Sequence, residues 1–167
     1  MPALRSIAPC LWFDDQAEEA AKFYTAIFPN SRIIETTRYG EAGRDIHQKP
    51  VGSVLTVAFE LDGQEFTALN GGPQFRFNEA ISLQVHCETQ EDVDYFWEKL
   101  SEGGDANAQV CGWLKDRFGV SWQVVPAIVA ELIRNHESAA SARAMAALFQ
   151  MKKLDIEALK RAYEGRD

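Results

Sequence analysis

A series of predicted strands and helices occurs twice in this chain, and such a repeat restricts the fold more than any single residue. Over residues 7–70 the apolar periodicity predicts a strand, a helix, a second strand and a hairpin. Residues 80–126 follow the same order with shorter loops, so that Phe66 aligns with Trp122. The sequence therefore predicts an α+β fold of two βαβββ modules. Two unrelated α+β stretches are the alternative.

Turn and capping residues mark the ends of several of these elements. The helix in "QAEEAAKFYTAIF" has Glu18 and Glu19 in its first turn. Asp62-Gly63 has the composition of a tight hairpin turn. "TQEDVDYFWEKLSEGG" begins with a capping Thr or Glu and ends on glycines. The loop "GEAGRDIHQKPVG" joins the second strand to the hairpin, and its role is open.

A helical tail follows the second module. "AIVAELIRN", "SAASARAMAALFQM" and "LDIEALKRAYEG" have apolar stripes, and Asp155 is a candidate N-cap for the last helix. We expect the first module over residues 1–72, the second over 73–127 and the tail over 128–167. The three parts should form one integrated domain, with the tail packed on the sheets or on a partner subunit.

Charge and composition exclude several classes of function. The net charge is −8 and the pI about 4.9, which argues against nucleic acid or an anionic membrane surface as partner. No apolar run approaches the roughly 20 residues that span a bilayer, and the N-terminus lacks a signal-peptide pattern. Three cysteines without CxxC spacing favour a reducing compartment, so we expect a cytoplasmic protein.

Longer segments carry a family resemblance. The stretch "VAFELDGQEFTALNGGPQFRFNEAISLQVHCETQEDVDYFWEKLSEGG", followed by "CGWLKDRFGVSWQVVP", closely resembles the PhnB-like family. The late "MKKLDIEALKRAY" is similar to the C-terminal helix of that family. The family belongs to the vicinal oxygen chelate superfamily, with glyoxalase I, bleomycin-resistance proteins and extradiol dioxygenases. The resemblance implies two βαβββ modules, each a curved sheet around a cavity, and a homodimer. It leaves open whether the cavities form within one chain or across the dimer.

Members of this family often carry the description 3-demethylubiquinone-9 3-methyltransferase. A site for S-adenosylmethionine normally shows a glycine-rich turn from strand to helix, followed by an acidic residue. Gly71-Gly72 and Gly103-Gly104 are followed by neither arrangement. We therefore expect no methyltransferase activity.

Side-chain alternation predicts which face of each strand points into the cavity. The side chains that should face the helices are Ile7, Leu11, Phe13, Phe66, Ile81, Leu83, Val85 and Trp122. In metal-using members of the superfamily, the ligands are His or Glu on the first and last strands of each module. By resemblance, those four positions are occupied by Ala8, Thr67, Ala80 and Gln123. Alanine has no donor atom, and Thr and Gln are weak beside carboxylate and imidazole, so we expect no metal and no other cofactor.

The same cavity should contain polar side chains with aromatic walls, as small-molecule sites do. The candidate ligand-binding residues are Trp12, Glu65, Thr67, Asn70, Gln84, Trp113, Lys115, Ser121 and Gln123. Cys111, Trp113 and Lys115 alternate and should share one face of a strand. For Gln123 the alternative is a buried amide satisfied by backbone or water, and for Asn70 it is a role in the turn of "LNGG".

Two residues are candidates for chemistry in this cavity. His86 is the histidine on a predicted inward face and could act as a general base. Cys10 could act as a nucleophile if His86 lay beside it, although a buried structural cysteine is the commoner case.

Three hypotheses follow from these residues. The first is metal-independent binding of a small organic molecule. The second is an enzyme with the lyase, isomerase or dioxygenase-like chemistry of the superfamily, using His86 or non-standard metal ligands. The third is an interaction module whose cavity no longer binds a ligand.

Overall fold

The structure is a computed structural model that describes residues 6–166. The described chain forms two compact units, the first ending at Arg76 and the second beginning at Phe77. Each unit contains one small sheet with helices, which confirms the predicted α+β class.

The first unit has the predicted order of elements, with one short added helix in the loop. Its elements are β1 Cys10–Phe13, α1 Ala17–Ile27, β2 Arg32–Arg38, α2 Arg44–His47, β3 Val54–Leu61 and β4 Gln64–Asn70. The four strands have the order β1-β4-β3-β2. β1 pairs with β4 in parallel, and the other two pairs are antiparallel. Asp62 and Gly63 both have positive φ, which is the geometry of the predicted tight turn.

The core of this unit lies between α1 and the sheet. Tyr24 on α1 stacks on Phe59 with ring centroids 6.2 Å apart, and Phe59 stacks on Phe66 of β4 at 5.4 Å. Leu11 and Phe13 are buried, as alternation predicts for the face toward the helix. These residues fix which face of the sheet packs against α1.

The first strand is shorter than the sequence predicts. Ile7 was expected to face the helices, but it lies before β1 and is 82% exposed. Pro9, between Ile7 and the strand, has no N–H to donate to a ladder, although its carbonyl accepts the Thr67 N–H at 2.9 Å. Regular pairing therefore starts only at Cys10.

The second unit contains a three-stranded sheet, four α-helices and a short 3₁₀ turn among its described residues. They are β5 Leu83–Cys87, α3 Gln90–Ser101, the 3₁₀ turn Ala106–Ala108, β6 Trp113–Lys115, β7 Ser121–Pro126, α4 Ile128–Leu132, α5 Ala139–Leu148 and α6 Ile156–Glu164. The strand order is β5-β7-β6, with β5 parallel to β7 and β6 antiparallel to it. This sheet has one strand fewer than the predicted βαβββ module.

A turn shortens one predicted strand of this unit. Cys111 and Gly112 both have positive φ, and Val110 and Trp113 exchange backbone hydrogen bonds across them. The segment predicted as one strand is therefore a two-residue turn that leads into β6. The prediction that Cys111 shares a strand face with Trp113 and Lys115 is wrong for this reason.

The start of β5 also differs from the prediction. Ile81 was expected to face the helices but is 77% exposed, because residues 79–81 form a turn before the strand. Asn78 stabilises that turn, since its Oδ1 accepts the Ala80 N–H at 2.9 Å. Val85 and Trp122 are buried as predicted.

The turn between β6 and β7 is organised by a buried carboxylate. Asp116 is 3% exposed, and its Oδ1 accepts the N–H groups of Phe118 and Val120 at 2.9 and 3.0 Å. Its Oδ2 accepts the indole N–H of Trp122 at 2.8 Å. A buried carboxylate requires such donors, and here they fix the hairpin that positions β7.

The tail after the second sheet is helical, as the sequence predicts, and it belongs to the second unit. Its buried side chains form one cluster, namely Val129, Leu132, Ala144, Leu148, Leu154 and Leu159. Asp155 caps α6 by accepting the Ala158 N–H at 2.8 Å, as predicted. Gln90 at the start of α3 bonds the backbone of Leu154 and Ile156, which ties α6 to the rest of the unit.

Within residues 6–166, no helix has the length and apolar character needed to cross a membrane.

Gly71 offers a direct test of packing in the first unit. A Cβ at this position would fall inside the van der Waals envelope of the Trp12 ring. The Trp12 indole is held in place because its Nε1 donates to the Gly72 carbonyl at 2.8 Å. We expect Gly71→Ala to lower the free energy of unfolding by about 1–3 kcal/mol, measured by urea denaturation.

Gly40→Ala is the matched control, because a Cβ there has no heavy atom within 4 Å and neither glycine has a positive φ. It should leave the free energy of unfolding within about 1 kcal/mol of the parent value. Equal effects of the two substitutions would contradict the close approach of Trp12 to Gly71.

Candidate functional site

The sheet of the second unit brings together most of the predicted ligand-binding residues. Gln84 on β5 lies opposite Gln123 on β7, which in turn lies opposite Trp113 on β6. Lys115 lies opposite Ser121. Because paired residues project from the same side of a sheet, these side chains share one face. We call this surface the amide face; its residues are Ser82, Gln84, Trp113, Lys115, Ser121 and Gln123.

Gln123 is the centre of the amide face. Its Nε2 donates to the Ser82 hydroxyl at 2.7 Å, and its Oε1 accepts a longer bond from the Gln84 Nε2 at 3.4 Å. Gln123 and Trp113 are half-buried, whereas Gln84 is exposed. The Gln123 amide is thus held in one orientation by side chains and not by the backbone, while the face stays open to solvent at Gln84.

One charged pair lies at the edge of this face. Lys115 on the outer strand β6 forms an ion pair with Glu79, which precedes β5. The Lys115 side chain is 26% exposed and that of Glu79 63%. The hydrogen bond from Lys115 is the main cause that holds the pKa of the Glu79 carboxyl below its usual value.

Ser121 has an unusual environment for a polar residue. It is 2% exposed, and its hydroxyl oxygen is buried without a hydrogen-bond partner among the described residues. Leaving such a group unsatisfied costs free energy, which a partner brought by a ligand would recover.

In the first unit, a shallow cavity of about 280 Å³ collects three of the predicted residues. Ala8, Glu65 and Thr67 line it, together with Ser6, Ile34, Glu35, Ala58 and Phe66. Cys10 is the register partner of Thr67. This cavity therefore has two carboxylates, Glu35 and Glu65, on an open surface.

Two other predicted ligand-binding residues have structural contacts. Asn70 is buried; its Oδ1 accepts the first N–H of α1, from Ala17, at 2.8 Å, and its Nδ2 donates to the Val54 carbonyl at 3.1 Å. Trp12 packs on the glycine pair after β4 and meets Phe75 edge to face, with centroids 4.9 Å apart. These contacts give Asn70 a structural role that links the end of β4 to the start of α1, and they make Trp12 part of the same corner.

The residues considered for catalysis lie in different units. Cys10 is an exposed residue, but partial burial of its thiol raises the pKa. His86 is exposed on β5, next to Cys87. Burial, with a contribution from Asp92, raises the pKa of Cys87 to about 11. Raised thiol pKa values oppose nucleophilic activation of these cysteines near neutral pH.

The side chains at the four positions that the resemblance assigns to metal ligands do not suit a divalent ion. Ala8 and Ala80 offer no ligand atom and lie before β1 and β5. Thr67 and Gln123 are neutral, and Gln123 is already bonded to Ser82. Within residues 6–166, no group of three or more His, Cys, Asp or Glu side chains is placed to hold a metal ion.

Sequence reasoning missed three residues that the structure places at these surfaces. Ser82 accepts the Gln123 bond, and its alternation with Gln84 was the signal that could have identified it. Glu79 pairs with Lys115 through a turn that the sequence pattern did not define. Glu35 reaches the first-unit cavity because β2 pairs with β3, and that register depends on long-range pairing.

The chain matches the sequence model of a protein family over residues 5–125, and the family is described as 3-demethylubiquinone-9 3-methyltransferase. The tail helices, including the segment that resembles the family's C-terminal helix, lie outside this match. No curated protein matches the chain at a significant level.

A solved structure gives the same family. The PhnB protein from Bacillus cereus, which bears the name of a putative 3-demethylubiquinone-9 3-methyltransferase, is 36% identical with a TM-score of 0.64. The alignment covers 74% of this chain and 100% of that one. Protein PA1353 from Pseudomonas aeruginosa is 17% identical with a TM-score of 0.58, over 74% and 98% of the two chains. A glyoxylase/bleomycin resistance protein/dioxygenase domain from Frankia sp. EAN1pec is 15% identical with a TM-score of 0.46, over 74% and 93%.

The pKa of Cys10 generates a test of its reactivity. Because the pKa is raised, the thiolate fraction at any pH below it is smaller than for an ordinary cysteine. We expect Cys10 in the native protein to react with iodoacetamide more slowly than in a synthetic peptide of residues 6–16. The rate for the native protein should still rise with pH where the rate for the peptide has levelled off, measured by peptide-resolved mass spectrometry after short pulses.

The peptide is the matched control because it has the same neighbours in sequence but no burial. A rate for native Cys10 above that of the peptide, with a plateau below about pH 8, would identify an activated thiolate and contradict the raised pKa.

Proposed function

This chain belongs to the 3-demethylubiquinone-9 3-methyltransferase family, and we propose that it binds a small organic molecule on the amide face without a metal ion. The observation that carries the proposal is the Gln123 amide, held by Ser82 and Gln84 beside the half-buried Trp113 ring. Small-molecule sites combine an apolar or aromatic wall with a few fixed polar groups in this way.

The hydrogen bonds of Gln123 leave capacity for a ligand. A primary amide has two N–H donors and a carbonyl with two lone pairs, and the bonds to Ser82 and Gln84 use one donor and one lone pair. A ligand amide, carbonyl or hydroxyl can take the remainder. Such a site fixes orientation by hydrogen bonds and draws binding free energy from contact with Trp113.

Metal independence is supported by donor chemistry. Divalent ions used in catalysis are bound by carboxylate, imidazole or thiolate groups. The four positions expected by resemblance offer two methyl groups, a hydroxyl and an amide. We therefore propose no step through a metal ion at these positions.

Methyl transfer is not part of the proposal, although the family's description names it. Gly71-Gly72 packs against the Trp12 ring, and Gly103-Gly104 follows the end of α3, where Gly104 lies against the Lys115 carbonyl. Neither glycine pair connects a strand to a following helix, the arrangement in which a nucleoside cofactor is normally bound.

The chemistry of Cys10 also favours binding over covalent catalysis. The raised pKa of Cys10 opposes its use as a nucleophile at neutral pH.

The proposal includes a homodimer. Ile33 and Ile34 are exposed on β2, which is an edge strand of the first sheet, and Glu35 follows them. Exposed apolar residues on an edge strand are suited to contact with a second copy. Light scattering of the purified protein measures the oligomeric state. A cytoplasmic location stays a prediction from the three free cysteines.

Ligand binding is tested with protein purified without a histidine tag and dialysed against chelator. Elemental analysis should give far less than stoichiometric metal per chain. A library of small aromatic amides, ketones and alcohols is then screened by Trp fluorescence and thermal shift. Hits should bind equally with and without chelator.

The variant Gln123→Ala removes the central amide. It should lower the affinity for every hit by about tenfold or more, which is the effect of losing one or two hydrogen bonds. Gln150→Ala, at an exposed position after α5, is the matched control and should leave affinity unchanged. Stoichiometric bound metal, or hits that Gln123→Ala does not weaken, would refute the proposal.

A further inference from the structure

Resting on the proposed binding function, we propose that the ligand carries a carboxylate group, which binds Lys115 by taking the place of Glu79. The amide face then has two parts: Gln84 and Gln123 orient the neutral body of the ligand, and Lys115 with Ser121 receives its charged end.

Lys115 is placed to meet a ligand already bound at Gln123. On β7, Gln123 and Ser121 are two residues apart and project from the same face of the sheet, and Lys115 is the cross-strand partner of Ser121. Cross-strand partners have Cβ atoms about 5 Å apart, and next neighbours along a strand are separated by about 7 Å. A molecule of the size of a substituted benzene ring therefore reaches from the Gln123 amide to the Lys115 ammonium.

A ligand can replace Glu79 as the ion-pair partner of Lys115. Its side chain is 63% exposed and comes from the turn before β5 rather than from a strand. Ion pairs with this exposure contribute little to stability, so a ligand carboxylate that is also held by Gln123 can displace Glu79 at small cost. Glu79 presents to Lys115 the same chemical group that we assign to the ligand.

Ser121 is an independent observation that points to a ligand at the same place. Its hydroxyl is buried, has no hydrogen-bond partner within residues 6–166, and belongs to the residue opposite Lys115. A carboxylate has two oxygens, so one can accept from the ammonium while the other accepts from the hydroxyl.

The charge and geometry of the amide face around Lys115 favour a carboxylate ligand over a phosphate or a cationic ligand. A phosphate group is typically held by bidentate arginine or by several donors, whereas the amide face supplies one lysine and one hydroxyl at this edge. A cationic ligand would have to replace Lys115 as the partner of an exposed glutamate, and nothing in the Gln123 cluster favours that. A monoanion matches the single ammonium.

The experiment uses matched acid and amide probes on the full chain. Benzoate and benzamide have nearly the same shape and differ in charge, and inorganic phosphate is the third probe. Titrations are followed by backbone ¹H–¹⁵N shifts of residues 113–115 and 121–123. In Glu79→Gln, benzoate should bind about two- to fivefold more tightly than in the parent protein, since only a weak exposed ion pair is removed, and benzamide should change by less than about twofold.

Two further variants test the lysine and the serine in the Glu79→Gln background. Lys115→Gln should remove the preference for benzoate over benzamide. Ser121→Ala should weaken benzoate by about twofold or more with no loss of thermal stability, because its hydroxyl has no hydrogen bond to lose within the described chain. Glu137→Gln, an exposed position in the same unit, controls for the change in net charge and should alter neither affinity.

Several outcomes would overturn this inference. Equal binding of benzoate and benzamide to Glu79→Gln would do so while leaving the proposed binding function intact. Tighter binding of phosphate than of benzoate would reject a carboxylate as the ligand class. Absence of binding by every probe to Glu79→Gln would also reject the inference, and the broader screen with Gln123→Ala would decide the binding function separately.

Discussion

Parallel pairing of the first and last strands within each unit is the constraint on which the candidate site depends. β1 lies beside β4 and β5 beside β7, although each pair is separated by a long stretch of its unit in sequence. The hairpin strands alone could not bring Gln84 to Gln123 or Cys10 to Thr67. Because parallel strands need a crossover, α1 and α3 are required to return the chain, and their buried faces fix which side of the sheet remains open.

Local signals in the sequence predicted the structure correctly wherever a single turn or helix cap determines it. The Asp62-Gly63 turn, the Thr89 capping box with Asp92 and the Asp155 cap follow from the preferences of those residues. Alternation correctly predicted the buried side chains of Phe66 and Trp122. These features depend on neighbours in sequence, which a single chain displays directly.

The errors arose where the structure depends on a less obvious turn. Ile7 and Ile81 have apolar side chains that extend the strand pattern, but Pro9 and Asn78 end regular pairing before those residues are reached. Cys111 adopts a positive φ that is uncommon for a side-chain-bearing residue, so the alternation of Cys111, Trp113 and Lys115 was misleading. Partners such as Glu79 and Glu35 depend on tertiary placement and have no local signature.

The segment "CGWLKDRFGVSWQ" also shows why a specific motif does not by itself identify a site. Its first two residues form a turn, and Asp116 is bonded to N–H groups of Phe118, Val120 and Trp122. Only Trp113, Lys115, Ser121 and Gln123 remain for the amide face, as every second residue of two short strands. The Asp116 hydrogen bonds set the β6–β7 register, and in this way they hold the strands that carry the four amide-face residues. A ligand at Gln123 and Lys115 would therefore meet side chains on a backbone that is already fixed in place, and it would avoid the entropic cost of ordering that backbone.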